Sequence, residues 1–438
     1  MLQAVVNAFK IPDLRRRILF TLAMLVVFRF IASIPVPGVD RAGLREFVQG
    51  NELMGMLNLF SGNGLQYFSI AALGVYPYIT ASIIMQLMTP VIPSLNELSN
   101  EGASGRNKIN QYTHWLTVPL ALLQGYGQAV LFSRQQNPAT GGPLLDGFGL
   151  FNGDTWLRST ALLAAMTAGT MLLVWIGELI TENGIGNGIS IIIFGGIVAS
   201  LPTSVASLFG GTAGLNAVSI ALFTVIALVT IVGIVLINEG QRRIPVHYAK
   251  RVRGNRQYGG TTTFIPLKVN SAGMIPLIFA VSIMVFPGLI AQFLSQSNTE
   301  WVRNVAVEMS TFLSPTSLAY NVIYFLLVVG FTYFYTMVVF QQQKIPENLQ
   351  RQGAFIPGVR PGKNTAIYLT RVLNRITLIG ALFLGIVAIL PFIAARLTGV
   401  NTLLLGATSM LIVVGVAIDT MRQLESQLMM RNYEGFIR

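Results

Sequence analysis

The chain has 438 residues, 53% of them hydrophobic and only 11% charged, with a mean hydropathy of +0.63 and a formal net charge of +12. A soluble domain carries roughly 25% charged residues, so this composition excludes one. There are no cysteines and only two histidines, His114 and His247, which excludes disulfides and thiolate metal sites and leaves little for a histidine-based metal centre or proton relay.

Apolar blocks of about 20 residues, the length that crosses a hydrocarbon core as helix, recur along the chain. They predict ten spans, near 18–34, 70–90, 113–133, 157–180, 187–207, 216–238, 271–292, 318–340, 376–395 and 402–420. The blocks are continuous, unlike the alternating segments of about 10 residues found in barrels. The fold class is therefore an all-α polytopic membrane protein. The first block follows Arg15, Arg16 and Arg17, but so many spans come after it that it is not read as a removable signal peptide.

Residues 35–69 join spans one and two and are partly apolar, with Leu53, Met54, Met56, Leu57, Leu59 and Phe60. A solvent loop has no need of these side chains, whereas a re-entrant segment lying in a protein-lined cavity does. The segment continues into Ser61, Gly62, Asn63 and Gly64, which read as a flexible connection. Gly74 and Pro77 then mark the start of the true second span.

Two later loops are long and basic. Residues 239–270 hold "RIPVHYAKRV", whose alternation predicts an ordered hairpin; residues 341–375 hold "PGVRPG", a stiff turn presenting Arg360. With the N-terminus in the cytoplasm, 22 of the 29 Lys and Arg fall on the cytoplasmic side and 6 outside, while acidic residues divide 10 to 7. The positive-inside bias therefore places both termini in the cytoplasm. The basic loops serve as orientation signals near anionic lipid, and their surplus charge also suits an acidic protein or RNA phosphate. Arg29, Glu178 and Asp419 lie within or at the ends of spans and are read as structural, Arg29 through an internal partner.

"SIAALGVYPYITASIIMQLM", Ser69 to Met88, and "WIGELITENGIGNGISIII", Trp175 to Ile193, resemble the two signatures of the SecY family, the central subunits of protein-conducting channels. The ten spans, the two basic loops and "PGVRPG" extend the resemblance over essentially the whole chain. It implies two inverted five-span halves, here 1–210 and 211–438, around an hourglass pore. It also implies a plug at about 55–68, with Leu57, Leu59, Phe60, Ser61, Gly62, Asn63, Gly64 and Leu65, and a lateral gate between spans two and three on one side and seven and eight on the other. The family's apolar pore ring carries over to Val75, Ile79, Ile189, Ile193, Ile278 and Ile412. A count of helical depth agrees for Ile79, Ile278 and Ile412 but puts Ile189 in the cytoplasmic half of span five.

Independently of the family, Val75, Ile79, Ser82, Gln86 and Thr89 share one stripe of span two at 100° per residue. The stripe is apolar to mid-depth and polar beyond, which suits a water-filled funnel ending in a dewetting constriction. Met274, Ile278, Ser282 and Val285 form the matching face of span seven, and Met274 and Ser282 are assigned to the funnel or gate.

The expected function is passage of unfolded secretory polypeptides and sideways release of hydrophobic segments. No catalytic or cofactor-binding constellation stands in the pathway, so the work falls to a partner. The resemblance implies SecE-like and SecG-like membrane subunits, a SecA-like motor ATPase, the ribosome with its protein and rRNA, precursors with their signal sequences, and membrane lipid. Lys250, Arg251, Arg253, Arg256 and Arg360 are the expected motor or ribosome contacts. The location implied is a bacterial plasma membrane. A secondary transporter with broken helices is the alternative, but it calls for a midplane polar site that the sequence does not supply.

Overall fold

The structure is a computed structural model and describes residues 9, 11–36, 39–135, 142–149, 155–209, 217–248, 251–253, 256–258, 262–295, 299–398 and 402–434. In chain order the helices are α1 (Pro12–Ser33), α2 (Arg41–Gly50), α3 (Glu52–Phe60), a 3-10 turn at Leu65–Tyr67, α4 (Tyr76–Met88), α5 (Pro93–Asn100), α6 (Ala103–Arg134), α7 (Trp156–Asn183), α8 (Gly188–Phe209) and α9 (Ala217–Glu239). Strands β1 (Gln241–Tyr248), β2 (Arg251–Arg253), β3 (Arg256–Tyr258) and β4 (Thr262–Lys268) follow. Then come α10 (Ile275–Leu294), α11 (Glu300–Phe312), α12 (Leu318–Gln343), α13 (Ile345–Arg351), β5 (Ala354–Phe355), α14 (Lys363–Thr398) and α15 (Thr402–Glu434).

A helix coincides with each of the ten expected spans: α1, α4, α6 to α10, α12, α14 and α15. Among the described residues, α6, α7, α10, α12 and α14 each hold a stretch long and apolar enough to cross a bilayer. The pair α4 and α5, bent by 97° at its break, would add a sixth. In α1, Arg15 to Arg17 and Arg29 dilute an otherwise apolar helix. α4 begins where the sequence placed it: Gly74 has φ +59°, Pro77 occupies the first turn, and Pro is tolerated there because that N–H has no helical partner.

The "GIGNG" turn between α7 and α8 is tight. A Cβ on Gly188 would overlap the Gly177 carbonyl of α7, and Gly186 has φ +84°. On this side Leu14 of α1, Ile185 of the turn and Leu424 of α15 form a small core. Thr21 of α1 accepts from the Ile185 N–H at 3.2 Å and donates to the Arg17 carbonyl at 2.9 Å.

The chain divides into two compact units. One comprises Met1–Thr224, Val281–Asn321 and Pro391–Arg438; the other comprises Val225–Ala280 and Val322–Leu390. The second unit contains the strands. β1 pairs antiparallel with β4 from Gln241↔Lys268 to His247↔Thr262, and β5 adds to the far end of β1 at His247↔Phe355 and Tyr248↔Ala354. The hairpin is therefore real, with "RIPVHY" as one strand. Pro245 lies before β5 begins and Pro266 lies on edge strand β4, so neither removes a needed ladder bond.

The strands alternate, and Ile244 and Val246 face a core with Leu349, Ala354, Ile356, Leu369, Leu373 and Ile376. Residues 363–375, expected as loop, are the first turns of α14. Leu369, Val372, Leu373 and Ile376 follow i, i+3, i+4, i+7 and turn toward the hairpin. The two basic loops thus fold against each other as one small domain.

Leu369 is fully buried in that core. Leu369→Ala is expected to cost about 2–5 kcal/mol locally. Limited trypsin digestion of the purified protein should then cut faster within 239–375 while the spans stay intact.

Candidate pore plug and gate

Residues 35–69 leave α1 and return to α4 through a pinned neck. The Val36 N–H donates to the Phe68 carbonyl and the Ile70 N–H to the Ile34 carbonyl, both at 3.0 Å. Inside the excursion, α2 is capped by Asp40, which accepts from Ala42 N and Gly43 N. Asn51 Oδ1 caps α3 by accepting from Leu53 N at 3.1 Å and Met54 N at 3.2 Å. Leu53, Met54, Met56 and Leu57 are all buried, as a re-entrant helix requires.

Ser61 to Gly64, expected as a flexible connection, are packed into the fold. Ser61 is 1% and Asn63 5% exposed. Ser61 Oγ donates to the Asn58 carbonyl and accepts from Leu65 N, each at 3.0 Å. Asn58 Nδ2 donates to Asn63 Oδ1 at 3.0 Å, and Asn58 Oδ1 accepts from Gln66 N at 3.0 Å. Ser69 Oγ donates to the Gly64 carbonyl at 3.2 Å. The short polar side chains turn inward to satisfy a buried, irregular backbone.

The turn is seated against α1 and α8. A Cβ on Gly196 of α8 would overlap the Gly62 Cα, and one on Gly62 would strike the Phe28 ring and lie 3.3 Å from the Gly196 Cα. Gly62 and Asn63 both have left-handed backbone, with φ +62° and +68°. Around this contact Asn63 Nδ2 donates to the Gly196 carbonyl at 3.2 Å, and Arg29 Nη1 donates to the Gly62 carbonyl at 2.9 Å. The internal partner expected for Arg29 is thus the plug backbone. Below the turn, Phe68 meets Phe132 of α6 edge-on at 5.4 Å.

The other end of the segment touches α10 and α12. Leu53 Cδ1 lies 3.0 Å from where a Gly288 Cβ would be, and the Tyr320 hydroxyl donates to Met56 Sδ at 3.6 Å. Near the start of α4, the Tyr76 hydroxyl donates to the Ser282 carbonyl of α10 at 2.9 Å. Tyr76 is 1% exposed, and this link between spans two and seven joins residues 206 apart. Sequence reasoning missed Tyr76 because its neighbour Val75 carries the pore stripe.

Of the ring residues, Val75, Ile79, Ile193 and Ile412 are buried in the first unit and Ile278 in the second. Ile189 is half-buried, and its Cδ1 leans on Gly177 of α7. Ser82, Gln86 and Thr89 are half-buried, and Gln86 Nε2 donates to Ser82 Oγ at 3.2 Å. Met274 and Ser282 are buried. Leu57 and Leu65 are buried with the plug; the side chains of Leu59 and Phe60 lie outside the described ones.

Arg360 is exposed between Gly358 and Gly362, whose φ values are +78° and +97°, and its carbonyl accepts from Thr365 Oγ1 at 3.0 Å. Lys250 lies outside the described residues. Arg251 is on β2, paired with Tyr258 of β3; Arg253 pairs with Arg256, and the side chains of these three arginines also lie outside the described ones. Glu178 of α7 faces His114 of α6 with Oε1 2.8 Å from Nε2, and Asp419 is exposed. Among the described residues no cluster of three or more His, Cys, Asp or Glu could hold a metal ion.

A SecY family profile matches residues 69–421. The protein translocase subunit SecY of Corynebacterium glutamicum is 45% identical over 100% of both chains. Those of Streptomyces scabiei and Mycobacterium tuberculosis are 44% and 42% identical, also over 100% of both chains. Three solved structures share the fold. A protein-conducting channel has a TM-score of 0.59 at 17% identity, covering 96% of each chain. A SecY whose plug domain stabilises the closed channel and maintains a membrane seal has a TM-score of 0.61 at 18% identity, covering 96% of each chain. Sec61 of a canine ribosome–channel complex has a TM-score of 0.58 at 16% identity, again covering 96% of each chain.

Gly196→Val should unseat the turn, since a larger side chain cannot occupy the Gly62 contact. The chain has no cysteine, so Leu57→Cys gives a clean reporter at a buried plug position. Thiol labelling from the aqueous side is expected to rise about tenfold when Gly196→Val is added, equivalent to about 1.4 kcal/mol of easier opening.

Proposed function

The chain belongs to the SecY family, and we propose that it is the channel subunit through which unfolded secretory polypeptides cross a bacterial plasma membrane, with both termini cytoplasmic. The observation that carries this reading is the seated plug: a short helix and turn, folded into the membrane domain and held by Gly196, Asn63 and Arg29. A solute carrier has no use for such a stopper, whereas a wide pore that must rest closed does.

The constriction consists of Val75, Ile79, Ile189, Ile193, Ile278 and Ile412. Aliphatic side chains suit it because a translocating chain presents every kind of side chain. Such a waist closes around polypeptide without binding it and resists ions by dewetting when empty. Ser82 and Gln86 of α4, Thr89 at its end, Met274 just before α10 and Ser282 of α10 form the cytoplasmic funnel and the gate face. The two halves, 1–210 and 211–438, are inverted repeats of five spans each, and hydrophobic segments leave sideways between spans two and three on one side and seven and eight on the other.

The chain itself performs no catalytic step and holds no cofactor. The driving force comes from a SecA-like motor ATPase or a ribosome, through protein and rRNA, docked on the basic domain at Lys250, Arg251, Arg253, Arg256 and Arg360. The folded hairpin core supports this role, because it presents Arg360 on a capped, exposed turn. SecE-like and SecG-like subunits complete the channel in the membrane, and precursors enter by their signal sequences.

The test is reconstitution in liposomes with the two small subunits, a motor ATPase, ATP and a precursor. The precursor should become protease-protected; coupled uptake of a small solute without protection would overturn the reading. In the same assay Tyr76→Phe deletes the hydroxyl bond to Ser282. A net hydrogen bond contributes about 0.5–1.5 kcal/mol, so a precursor with a weakened signal should be protected several-fold better by the variant.

A further inference from the structure

We propose that α11 is an interfacial helix seated at the headgroup–acyl boundary of the bilayer, on the side of the membrane that holds the plug. The helix follows α10, whose Gly288 contacts plug residue Leu53 near that end of the span. Its faces do not divide as those of a helix packed only on protein. Ala306 is buried, but Trp301, Val305, Met309 and Phe312 are 74%, 48%, 39% and 53% exposed. These four recur at i, i+4, i+8, i+11 and make one apolar stripe beside the protein-facing side. Glu300, Asn304, Glu308 and Thr311 lie together on a third face, and Val307 alone breaks the pattern. A helix with a protein face, a bare apolar face and a polar face is matched by an environment that changes from acyl chain to water across its width.

Two observations identify lipid as what covers the bare stripe. The first is continuity: Phe286, Ile290 and Leu294 form an exposed apolar row on α10 that runs to its last residue, and Leu318, which opens α12, is also exposed. α11 lies in the chain between these lipid-facing surfaces. The second is the placement of tryptophan. Trp156 and Trp175 are both exposed on α7, and their nineteen-residue separation spans about 28 Å at 1.5 Å per residue. That is close to the ~30 Å hydrocarbon thickness, so exposed tryptophan in this chain marks the two interfaces. Trp301 extends the same belt. The charges of α11 are Glu300, Arg303 and Glu308, so apolar burial and not attraction to anionic headgroups holds it there.

The test uses the full chain with Trp115→Phe, Trp156→Phe and Trp175→Phe, leaving Trp301 as the sole indole. It is reconstituted in phosphatidylcholine vesicles brominated either close to the headgroup or close to the acyl methyl end. Most of the Trp301 emission should be lost with bromine near the headgroup and little with bromine at the methyl end. No loss with either lipid would mean that water or a protein partner covers the stripe, and greater loss with the deep label would mean a membrane-buried helix; each overturns the proposal. Adding Val305→Ser and Phe312→Ser should reduce the shallow quenching, and unchanged quenching in that variant would also contradict it.

Discussion

The seat of the plug rests on one close approach, that of the Gly62 backbone to the Gly196 backbone. Two helical or turn backbones come this near only where neither residue has a Cβ. The contact brings the Gly196 carbonyl within reach of Asn63 and the Gly62 carbonyl within reach of Arg29. A cation inside a membrane span is costly unless it finds an acceptor, and here the acceptor is the backbone of the plug turn. Displacing the segment therefore also strips Arg29 of its partner, which favours the seated state.

The same constraint explains the polar residues of the plug. Non-helical backbone at membrane depth must find its hydrogen bonds in protein. Asn58, Ser61 and Ser69 each supply one or more to the backbone of the turn from α3 toward α4, and Asn51 caps the start of α3. The bonds are short-range and self-contained, and the apolar side chains of α3 meet the surrounding helices.

Much of this was legible in the sequence, for physical reasons. Twenty-residue apolar blocks located the spans, Pro77 in a first turn located the start of α4, and buried-type residues in 53–57 revealed a re-entrant helix. The alternation of "RIPVHY" revealed a strand. Pairing was not legible. Asn63 and Gly196 are 133 residues apart, and Tyr76 and Ser282 are 206 apart, so neither link leaves a local pattern. The inward hydrogen bonds of Ser61 to Gly64 were not legible either, because turn-forming residues do not show in sequence what they pack against. The start of α14 was missed because its apolar face serves a water-exposed domain and not the bilayer, so hydropathy fell below that of a span.

The central claim is that the plug seals the resting pore and must leave its seat for polypeptide to pass. Leu53 of α3 packs on Gly288 of α10, its Cγ 3.8 Å from where a Gly288 Cβ would lie, so these two positions are the ones to pair as cysteines in a chain with no other cysteine. The direct measurement is precursor protection in liposomes by the oxidised Leu53→Cys, Gly288→Cys protein, before and after reduction with dithiothreitol. The account predicts that protection is lost on oxidation and returns on reduction. Full protection by the cross-linked protein would contradict it.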